Sequence, residues 1–589
     1  MNGCSIEQLL IRRCDGITDL RRLIIFGLGP ALCFRLFVLP GLNSYRLLIA
    51  VAVLCISVTG ELYASAGAAV PESNVPESYV VEQIVVNRSA IYDQSQPSAG
   101  IIQQSVNALH VTTREAVIMR EAGVQIGDKL SLAEVEEIER ILRRMGIFSD
   151  VKVVLAPVPG SAGKVLRIDT RDSFTIVAGA SGSFVGGVGE FGFSIGERNV
   201  AGLGDRLLFS YSGNTDDELR GALSYEDVQL IDGQHRALYS IGRTEDGPFY
   251  GFQLSRPFKV QADRRSWSMS AQNASREFNF YEDGVSVLQI PEQRDFLAVD
   301  SNWRLGTGSR TQRLGLSLRY DDREFEESRG RQSQTITAPD NSTLVHASFG
   351  FAVDQRDGYL KVRGIDTLNY IQDLSLGSSA EIRIGLSHRR FSATSDTEIN
   401  PVVSARLSRS SRRGANHFYR LTLNGSTTLN AIGDTTVFDR AWSVSGSARL
   451  FSRIAKRHTL ATRVDYVVAE GGDSALPVQQ TLGENNGLRG YASRLLSGRE
   501  RARLNIEDRI NTNWRLGPMD IGAVAFFDLG WVGREQSASE HRRSTGVGLR
   551  LGSNSLLGRL VIRMDVAFPL DTDDHSPLFS VSTGQVFNF

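Results

Sequence analysis

From about Ser173 to the carboxy terminus, apolar and polar residues alternate along the chain in short segments. The apolar positions of three such segments are Leu314, Leu316, Leu318 and Tyr320; Ile382, Ile384 and Leu386; and Leu560, Ile562, Met564, Val566 and Phe568. A period of two places successive side chains on opposite faces of a β-strand. Strands of about ten residues fit about 16 times into residues 173–589, which is typical of a transmembrane antiparallel β-barrel.

A soluble β-sandwich would alternate in the same way, with its polar face outward. The last residues of the chain favour the barrel instead. Residues 582–589 predict a terminal strand with an aromatic end, in which Phe587 and Phe589 share one face. Gly584 is suited to bend that strand. A closed barrel also pairs every backbone polar group within lipid, which an open sheet does not.

Residues 80–172 show a different pattern, which predicts a small α+β domain in the order strand, helix, helix, strand, strand. Thr112 and Glu115 have the spacing of a capping box for a first helix, which Gly123 ends. Ser131 and Glu134 repeat that spacing for a second helix. The mainly β barrel is therefore expected to follow one small βααββ domain.

The strands of this domain are predicted at residues 80–86, 148–155 and 164–169. The second helix places apolar residues on one face and charged residues on the other, as a helix that covers one side of a sheet requires. A three-stranded sheet with both helices on one face leaves a strand edge open.

Residues 1–66 are predicted to be a signal peptide. The apolar run 47–58 follows Arg46 and precedes Ala64 and Ala66, the small residues that a signal peptidase accepts. A membrane anchor is the alternative, but the run is shorter than the roughly 20 residues that a spanning helix requires. Residues 67–79 would then form a linker before the small domain.

Composition becomes informative only when the predicted signal peptide, residues 1–66 (the leader), is considered separately. With 41% hydrophobic and 22% charged residues, the whole chain resembles an ordinary soluble protein. All four cysteines lie in the leader, so residues 67–589 offer neither a disulfide framework nor thiol chemistry. Removal of the leader leaves 59 basic and 62 acidic residues. This slightly negative balance argues against a nucleic-acid partner.

The sequence offers no clear enzyme chemistry. Its eight histidines are scattered, with no two at the spacing of helical metal ligands, and we therefore expect no metal site. Residues 187–192 match the glycine pattern of a dinucleotide loop, but no helix follows to bind the phosphates. We expect no catalytic residue and no cofactor.

The informative motif lies late in the chain, where Leu488, Arg489, Gly490 and Tyr491 are consecutive. The segment 525–530, which contains Asp528, forms the centre of a later strand. With the domain before it, this arrangement resembles the BamA/TamA superfamily of outer-membrane barrels, which is related to the two-partner secretion transporters. The small domain resembles a polypeptide-transport-associated (POTRA) domain, and residues 197–204 resemble the first hairpin of the family's barrel.

The resemblance implies roles for individual residues. Arg489 would lie on a loop folded into the barrel and pair there with Asp528. Gly490 would let the loop turn sharply, and Tyr491 would pack beside it. Leu488 stands where the family usually has valine. The alternative is an exposed loop arginine that pairs with nothing.

The resemblance also implies a function and a location. The chain would be a bacterial outer-membrane insertase or translocon, with its POTRA domain in the periplasm. It would bind unfolded outer-membrane or secreted polypeptides by strand pairing, in contact with membrane lipid and with periplasmic accessory proteins. A passive pore with a partner-binding domain is one alternative. A transporter dedicated to one secreted protein is another.

Overall fold

The computed structural model describes most of the chain from residue 78 onward. The described ranges are 78–92, 107, 110–158, 160, 163–185, 188–214, 220–230, 233–244, 247–260, 262–306, 308–330, 339–429, 441–471, 478–534, 538–553, 560–572 and 576–588. The predicted signal peptide and the final residue, Phe589, lie outside the described residues.

Residues 78–172 form a small domain in which two helices cover a sheet. Its elements are β1 (Ser78–Ser89), α1 (Glu115–Ala122), β2 (Lys129–Ser131), α2 (Leu132–Arg144), β3 (Phe148–Pro157) and β4 (Lys164–Asp172). The strand order is β2-β1-β4-β3, with β1 and β4 parallel. The sheet therefore has four strands instead of the predicted three, because the three residues of β2 between the helices pair with the start of β1.

The two helix starts differ from each other. Ser131 and Glu134 form the predicted capping box at the start of α2. The box predicted at Thr112 and Glu115 is wrong, since Arg114 is the N-cap of α1 and its side chain makes no cap hydrogen bond. The preceding Thr113 is bound elsewhere, because its amide and hydroxyl both donate to the Asp172 carboxylate at the end of β4.

Apolar side chains from both helices and the sheet form the core of this domain. The apolar face of α2 contributes Val135, Ile138 and Leu142, of which Leu142 is fully buried. Opposite it, Leu166 and Ile168 of β4 are also fully buried. Burial of these aliphatic side chains supplies the main stabilisation of so small a sheet.

Twenty long antiparallel strands of the described chain close into a barrel. The first ten are β5 (Ile176–Val185), β6 (Val188–Val200), β7 (Asp205–Asn214), β8 (Arg220–Leu230), β9 (His235–Thr244), β10 (Gly247–Arg256), β11 (Arg265–Glu282), β12 (Val285–Leu305), β13 (Arg310–Phe325) and, after the two-residue β14 (Arg329–Gly330), β15 (Ser342–Val362).

The barrel continues to the end of the chain with ten more strands. They are β16 (Gln372–Phe391), β17 (Thr397–Arg413), β18 (His417–Thr428), β19 (Ala441–Ala455), β20 (His458–Glu470), β23 (Glu500–Leu516), β24 (Met519–Gly533), β25 (Glu540–Gly552), β26 (Val561–Pro569) and β27 (Leu578–Thr583). Between β20 and β23, the short strands β21 (Gln480–Leu482) and β22 (Leu496–Gly498) pair with each other.

The structure confirms the barrel class, with twenty strands where we expected about 16. The difference arises because several early hairpins are compact. Strands β9 and β10, for example, have ten residues each and are separated by two residues. In contrast, β12 and β15 have 21 residues each and extend well beyond the length that lipid requires.

The outer face of the barrel carries the apolar side chains that the alternation predicts. Leu318 is 53% exposed and Ile384 is 59% exposed, although both are aliphatic. The alternate positions of the same strands face the lumen, where Ser317 and Ser387 are buried. An apolar outer band around a polar interior is the arrangement that a lipid environment stabilises. Among the helices that the structure describes, none is long and apolar enough to span a membrane.

Three segments fold into the barrel instead of extending from it. The mouth turn, residues 363–371, connects β15 and β16 at the end next to the small domain. The inner loop, residues 480–498, includes β21, β22 and a 3-10 helix at Glu484–Asn486. The tail, residues 584–588, follows β27. These three segments position the candidate site.

Candidate functional site

The inner loop is held in shape by its own hydrogen bonds. The pairing of β21 with β22 brings its two ends together, from Gln480 opposite Gly498 to Leu482 opposite Leu496. Gly490 has φ of +86°, which favours glycine, and a Cβ there would lie 3.2 Å from the Cβ of Ala567. The loop can therefore press against the barrel wall directly beside Arg489.

Arg489 forms the centre of the site. Its side chain is 1% exposed, and it donates two hydrogen bonds to Asp528, from Nε to Oδ2 at 2.7 Å and from Nη2 to Oδ1 at 2.8 Å. Such a forked pair fixes both distance and orientation. The structure thus brings together the two residues that the motif singled out, and the alternative of an unpaired loop arginine does not apply.

Arg489 also binds two carboxylates that the sequence analysis did not assign. Its Nη1 lies 2.9 Å from Glu507 Oε1 and 3.3 Å from Asp565 Oδ2. Its guanidinium centre stands 3.5 Å above the ring of Phe526. A single loop arginine therefore bridges strands β23, β24 and β26 of the wall.

Three further arginines contact this buried cluster. Arg509 lies 2.9 Å from Glu507, whereas Arg550 and Arg563 lie 2.6 Å and 3.6 Å from Asp565. Each of the three carboxylates therefore has at least one arginine partner. Because buried charges are costly unless they are paired and hydrogen-bonded, this pairing explains how the cluster can be fully enclosed.

Apolar contacts and one amide fix the loop around this cluster. Leu488 is fully buried and packs with Tyr491, Leu482 and Val532, so leucine fits this position well. The Tyr491 hydroxyl donates to the carbonyl of Arg543 at 2.6 Å. These contacts leave the loop firmly packed on both sides of the arginine.

Asn505 joins the loop backbone to the acidic partner. Its amide donates to the Asp528 carboxylate and to the carbonyl of Gly487, both at 2.7 Å. The sequence analysis gave no role to Asn505, Glu507 or Arg509. The alternation on β23, which places all three on the lumen face, was the pattern that could have indicated them. Their partners on β24 to β26 became evident only from the strand register.

The tail departs from the expected terminal strand. The prediction that residues 582–589 continue the barrel wall is wrong for residues 584–588, because β27 ends at Thr583. Gly584 adopts φ of +87°, and its amide donates to Val561. From this point the chain turns into the lumen.

Four arginines hold the tail, one for each described residue after Gly584. Three of them bind main-chain carbonyls: Arg463 binds Val586 at 3.1 Å, Arg509 binds Phe587 at 2.7 Å and Arg449 binds Asn588 at 2.6 Å. The fourth, Arg550, donates to the Gln585 side chain at 3.0 Å. These bonds supply the physical reason for the departure from the wall.

Phe587 anchors the tail by its ring. It is 4% exposed and packs in an apolar cluster with Phe418, Phe451 and Ile365. Its ring centroid is 5.9 Å from that of Phe451 and 4.8 Å from the Arg509 guanidinium. Phe587 therefore stabilises the lumen, and it does not lie in a wall strand as the terminal-strand prediction required.

The mouth turn crosses from one side of the barrel to the other. On the far wall, the Ile365 carbonyl accepts from Arg509 at 2.6 Å. The Leu368 side chain fills the space above two wall glycines, since a Cβ on Gly522 would lie 2.7 Å from it. On the near side, the Tyr370 hydroxyl donates to the carbonyl of Phe148 in the small domain at 3.1 Å.

The barrel closes where β27 meets β5, a contact that we term the seam. In the described residues, Ser580 pairs with Ser183 and Val581 pairs with Gly182. The neighbouring β26 and β27 pair over six positions. The seam is therefore held by far fewer main-chain pairs than the contact beside it.

Residues 197–204, which resemble the first hairpin of the family's barrel, lie one strand further along this barrel. Residues 201–204 form the turn between β6 and β7, the second and third barrel strands. Asn199 donates from there to the Val111 carbonyl at 3.2 Å and to the Thr113 hydroxyl at 3.0 Å. This turn therefore attaches the small domain to the barrel.

Within the described ranges, no group of three or more histidine, cysteine, aspartate or glutamate side chains is arranged to hold a metal ion. The lumen carboxylates Glu507, Asp528 and Asp565 are instead bound by arginines. This arrangement can bind the inner loop and the tail inside the barrel, and it can pair β-strands through their backbones.

Comparison with solved structures identified several outer-membrane proteins. BamA from Haemophilus ducreyi lacking POTRA domains 1-3 is 14% identical, with 85% of this chain and 84% of that chain covered and a TM-score of 0.36. CdiB from Escherichia coli is 13% identical, with 88% and 93% covered and a TM-score of 0.41. These TM-scores are too low to support an argument.

A comparison with curated proteins gave no match. A comparison with family models gave a match to the Omp85 superfamily domain over residues 199–589, which is more than half of the chain. The protein therefore belongs to the Omp85 superfamily of outer-membrane β-barrels, whose members are transporters and insertases for polypeptides and not enzymes.

Proposed function

We propose that this protein inserts or translocates β-rich polypeptides at the bacterial outer membrane by pairing their strands with its own. The small domain is proposed to be a periplasmic POTRA domain that receives the client chain. The single observation that carries the proposal is the seam, where two residue pairs join the first and last strands of the barrel.

The tail prevents the seam from extending beyond β27. If the tail continued β27 in the same register, Val586 and Phe587 would lie opposite Val177 and Ile176 of β5. Because the tail is bound in the lumen, Val586 and Phe587 do not pair with this part of the β5 edge. An edge of this kind can pair with an added strand, and backbone pairing does not require a particular client sequence.

No nucleotide is needed for such a step. A client strand that pairs with β5 satisfies its own main-chain groups, and this pairing is a condition for entering lipid. Burial of the client's apolar outer face in lipid then supplies the free energy. The proposed mechanism thus uses only folding energy of the client.

The small domain offers a second edge. Strand β3 pairs with β4 among the described residues and forms one border of the four-stranded sheet. One main-chain group on that border is already engaged, since the Val153 amide donates to Glu139 at 3.2 Å. A client segment would therefore add to β3 beside this position.

The passive-pore alternative fits the lumen poorly. The inner loop, the mouth turn and the tail all occupy the barrel interior, and Arg509 alone binds both Ile365 and Phe587. An open pore would leave this interior free. The dedicated-transporter alternative uses the same seam and lumen and differs only in the number of clients.

Deletion of the gene tests the proposal and separates these alternatives. We expect quantitative proteomics of the outer membrane to show the loss of several barrel proteins. Loss of one protein from the culture supernatant would indicate a dedicated transporter. An unchanged proteome together with altered uptake of a lipophilic dye would contradict the proposal and favour the pore.

A disulfide across the seam tests the mechanism directly. The pair Ser183→Cys and Ser580→Cys lies at directly opposite positions, in a chain whose leader cysteines are replaced by serine. We expect oxidised protein to lose client assembly and reduced protein to regain it. The matched control is Val547→Cys with Val566→Cys, an ordinary wall pair on β25 and β26. Equal activity of both oxidised proteins would contradict seam opening.

A further inference from the structure

A cavity of about 270 Å³ lies at the mouth of the barrel, between the mouth turn, the β19–β20 turn and the lumen ends of β23 to β25. Its wall contains six basic residues and no acidic residue. These are Arg363, Arg453, Lys456, Arg457, Arg509 and Arg550. We term this cavity the basic pocket.

Two of the six charges are already balanced. Arg509 is paired with Glu507, and Arg550 is paired with Asp565. Arg453 donates to the carbonyl of Arg363 at 2.7 Å, which does not neutralise its charge. In the described chain, Arg363, Lys456 and Arg457 make no side-chain hydrogen bond or ion pair. The pocket therefore has an excess of four positive charges.

A row of arginines continues from the basic pocket up the lumen wall. Arg420 of β18 lies directly opposite Arg449 of β19, which lies directly opposite Arg463 of β20. Their neighbour Leu421 is 43% exposed on the lipid side, so this row, the arginine row, faces inward. Like charges directly opposite each other destabilise a sheet. Arg463 is paired with Asp465, and an anionic ligand would relieve the repulsion between Arg449 and its neighbours.

The tail now covers part of this row. Arg449 and Arg463 bind the carbonyls of Asn588 and Val586. A carboxylate would form stronger, charge-assisted bonds with the same arginines than a neutral carbonyl does. The tail also demonstrates that an extended main chain fits against the row.

We propose that the basic pocket and the arginine row form one binding site for an acidic, extended polypeptide segment that enters from the small-domain end. The proposal rests on the proposed function and specifies its client chemistry. Arg453 and Arg449 are four residues apart on β19, which corresponds to about 13 Å along a strand. A client segment of about four residues would span both, with carboxylates at each end.

The direction in which these groups face favours a polypeptide over a lipid headgroup. Arg509, Arg550 and Gln585 in the pocket wall all point into the barrel interior. A phospholipid headgroup would have to leave the outer face and bend around the strand ends. A chain passing through the mouth meets the pocket directly.

Peptide binding to the full-length protein in detergent micelles tests the proposal. The probe is a fluorescent twelve-residue peptide of alternating glutamate and serine, and its control has glutamine in place of glutamate. We expect fluorescence anisotropy to detect binding of the glutamate peptide only, with an affinity that falls as salt is added.

Charge removal locates the site. The variant Arg363→Gln/Lys456→Gln/Arg457→Gln is expected to bind the glutamate peptide about tenfold more weakly, because three exposed cations are lost. Its matched control is Arg409→Gln/Arg412→Gln/Arg413→Gln, which removes three exposed arginines at the end of β17, outside the pocket wall. The control is expected to retain full affinity and the same heat stability.

Three results would overturn the proposal. The first is equal binding of the glutamate and glutamine peptides, and the second is unchanged affinity of the pocket variant. The third is loss of peptide binding in nanodiscs of anionic phospholipid, which would assign the pocket to lipid headgroups.

The outcome is separable from that of the proposed function. If gene deletion removes client proteins while the glutamate peptide does not bind, the site inference fails alone. If the peptide binds as expected but deletion leaves the proteome unchanged, the transport function fails and an acidic-peptide site remains.

Discussion

Arg489 illustrates how a buried charge can organise a lumen. It is enclosed with Glu507, Asp528 and Asp565, and each of these carboxylates is 0% exposed. Removal of the arginine would leave Asp528 without its ion-pair partner in an enclosed site. Such a loss costs more than the loss of one hydrogen bond, since the remaining carboxylates keep their desolvation penalty.

We therefore predict that Arg489→Ala lowers the free energy of unfolding by about 3 to 5 kcal/mol. The heat-modifiability of the barrel on SDS gels would shift to a lower temperature. The matched control is Arg515→Ala, whose arginine is 72% exposed and pairs with Asp520, and an exposed pair contributes at most about 1 kcal/mol. Equal effects of the two variants would contradict the role assigned to the cluster.

The charge-swapped pair Arg489→Asp with Asp528→Arg supplies a sharper test. Because Arg489 serves three carboxylates, the swap would place a new acid beside Glu507 and Asp565. We expect no recovery of stability relative to the single variants, measured by the same gel shift. Recovery would indicate that Asp528 is the only partner that matters.

At the scale of single residues, the sequence predicted only part of the buried cluster. The motif pointed to Arg489 and Asp528, which the structure brings into contact. It did not point to Arg550 or Asp565, which are ordinary alternating residues of two later strands. Their role depends on the register that places them beside the inner loop, and no local pattern encodes that register.

Among the elements, the last strand and the tail form the most consequential pair. The strand β27 has six residues and the tail leaves it at Gly584. Binding of the tail in the lumen and pairing of the tail with β5 exclude each other. The affinity of the lumen for the tail therefore determines whether the seam can extend beyond β27.

We predict that Phe587→Ala weakens tail binding and lowers the free energy of unfolding by about 3 to 5 kcal/mol, as expected for a buried aromatic ring. The control is Phe579→Ala on β27, whose side chain is 55% exposed on the outer face. Thermal unfolding in detergent would measure both. A larger effect of Phe579→Ala would contradict the assignment of Phe587 to the core of the lumen.

Alternation predicted the class of the barrel because side chains on the two faces of a strand meet different solvents. It did not predict the number of strands, since compact hairpins such as β9–β10 and long strands such as β12 differ twofold in length. It also misplaced residues 584–588, because the alternation of Phe587 with Asn588 suits a strand and a lumen segment equally well.

On the scale of the whole molecule, the small domain and the barrel share an interface. Arg143 of α2 binds Asp373 of β16 through two bonds of 3.0 Å. Glu121 of α1 accepts from Lys259 at 2.6 Å. The interface therefore joins both helices to the barrel rim through ion pairs.

Glu139 makes this interface sensitive to acid. Burial raises the pKa of its carboxyl, but hydrogen bonds from Lys361, Arg143 and the Val153 amide outweigh burial and hold the pKa below its ordinary 4.5. A group with a lowered pKa stabilises the folded state above its ordinary pKa, and this stabilisation is lost as the pH falls through the lowered value.

We predict that limited proteolysis of the junction between the small domain and the barrel accelerates as the pH is lowered from 7 to below that pKa, using an acid-active protease at the low end. Glu139→Gln should show faster cleavage at neutral pH and a smaller change on acidification. Identical pH profiles for both proteins would contradict the role of Glu139.

The position of the mouth turn has a consequence for the protein's own biogenesis. Its contacts on the far wall involve Arg509 and the glycines of β24 and β25, roughly 140 to 190 residues later in the chain. Contacts of such sequence separation form late in folding. The interior of this barrel is thus sealed only when its final strands are in place, so an incomplete molecule remains an open trough.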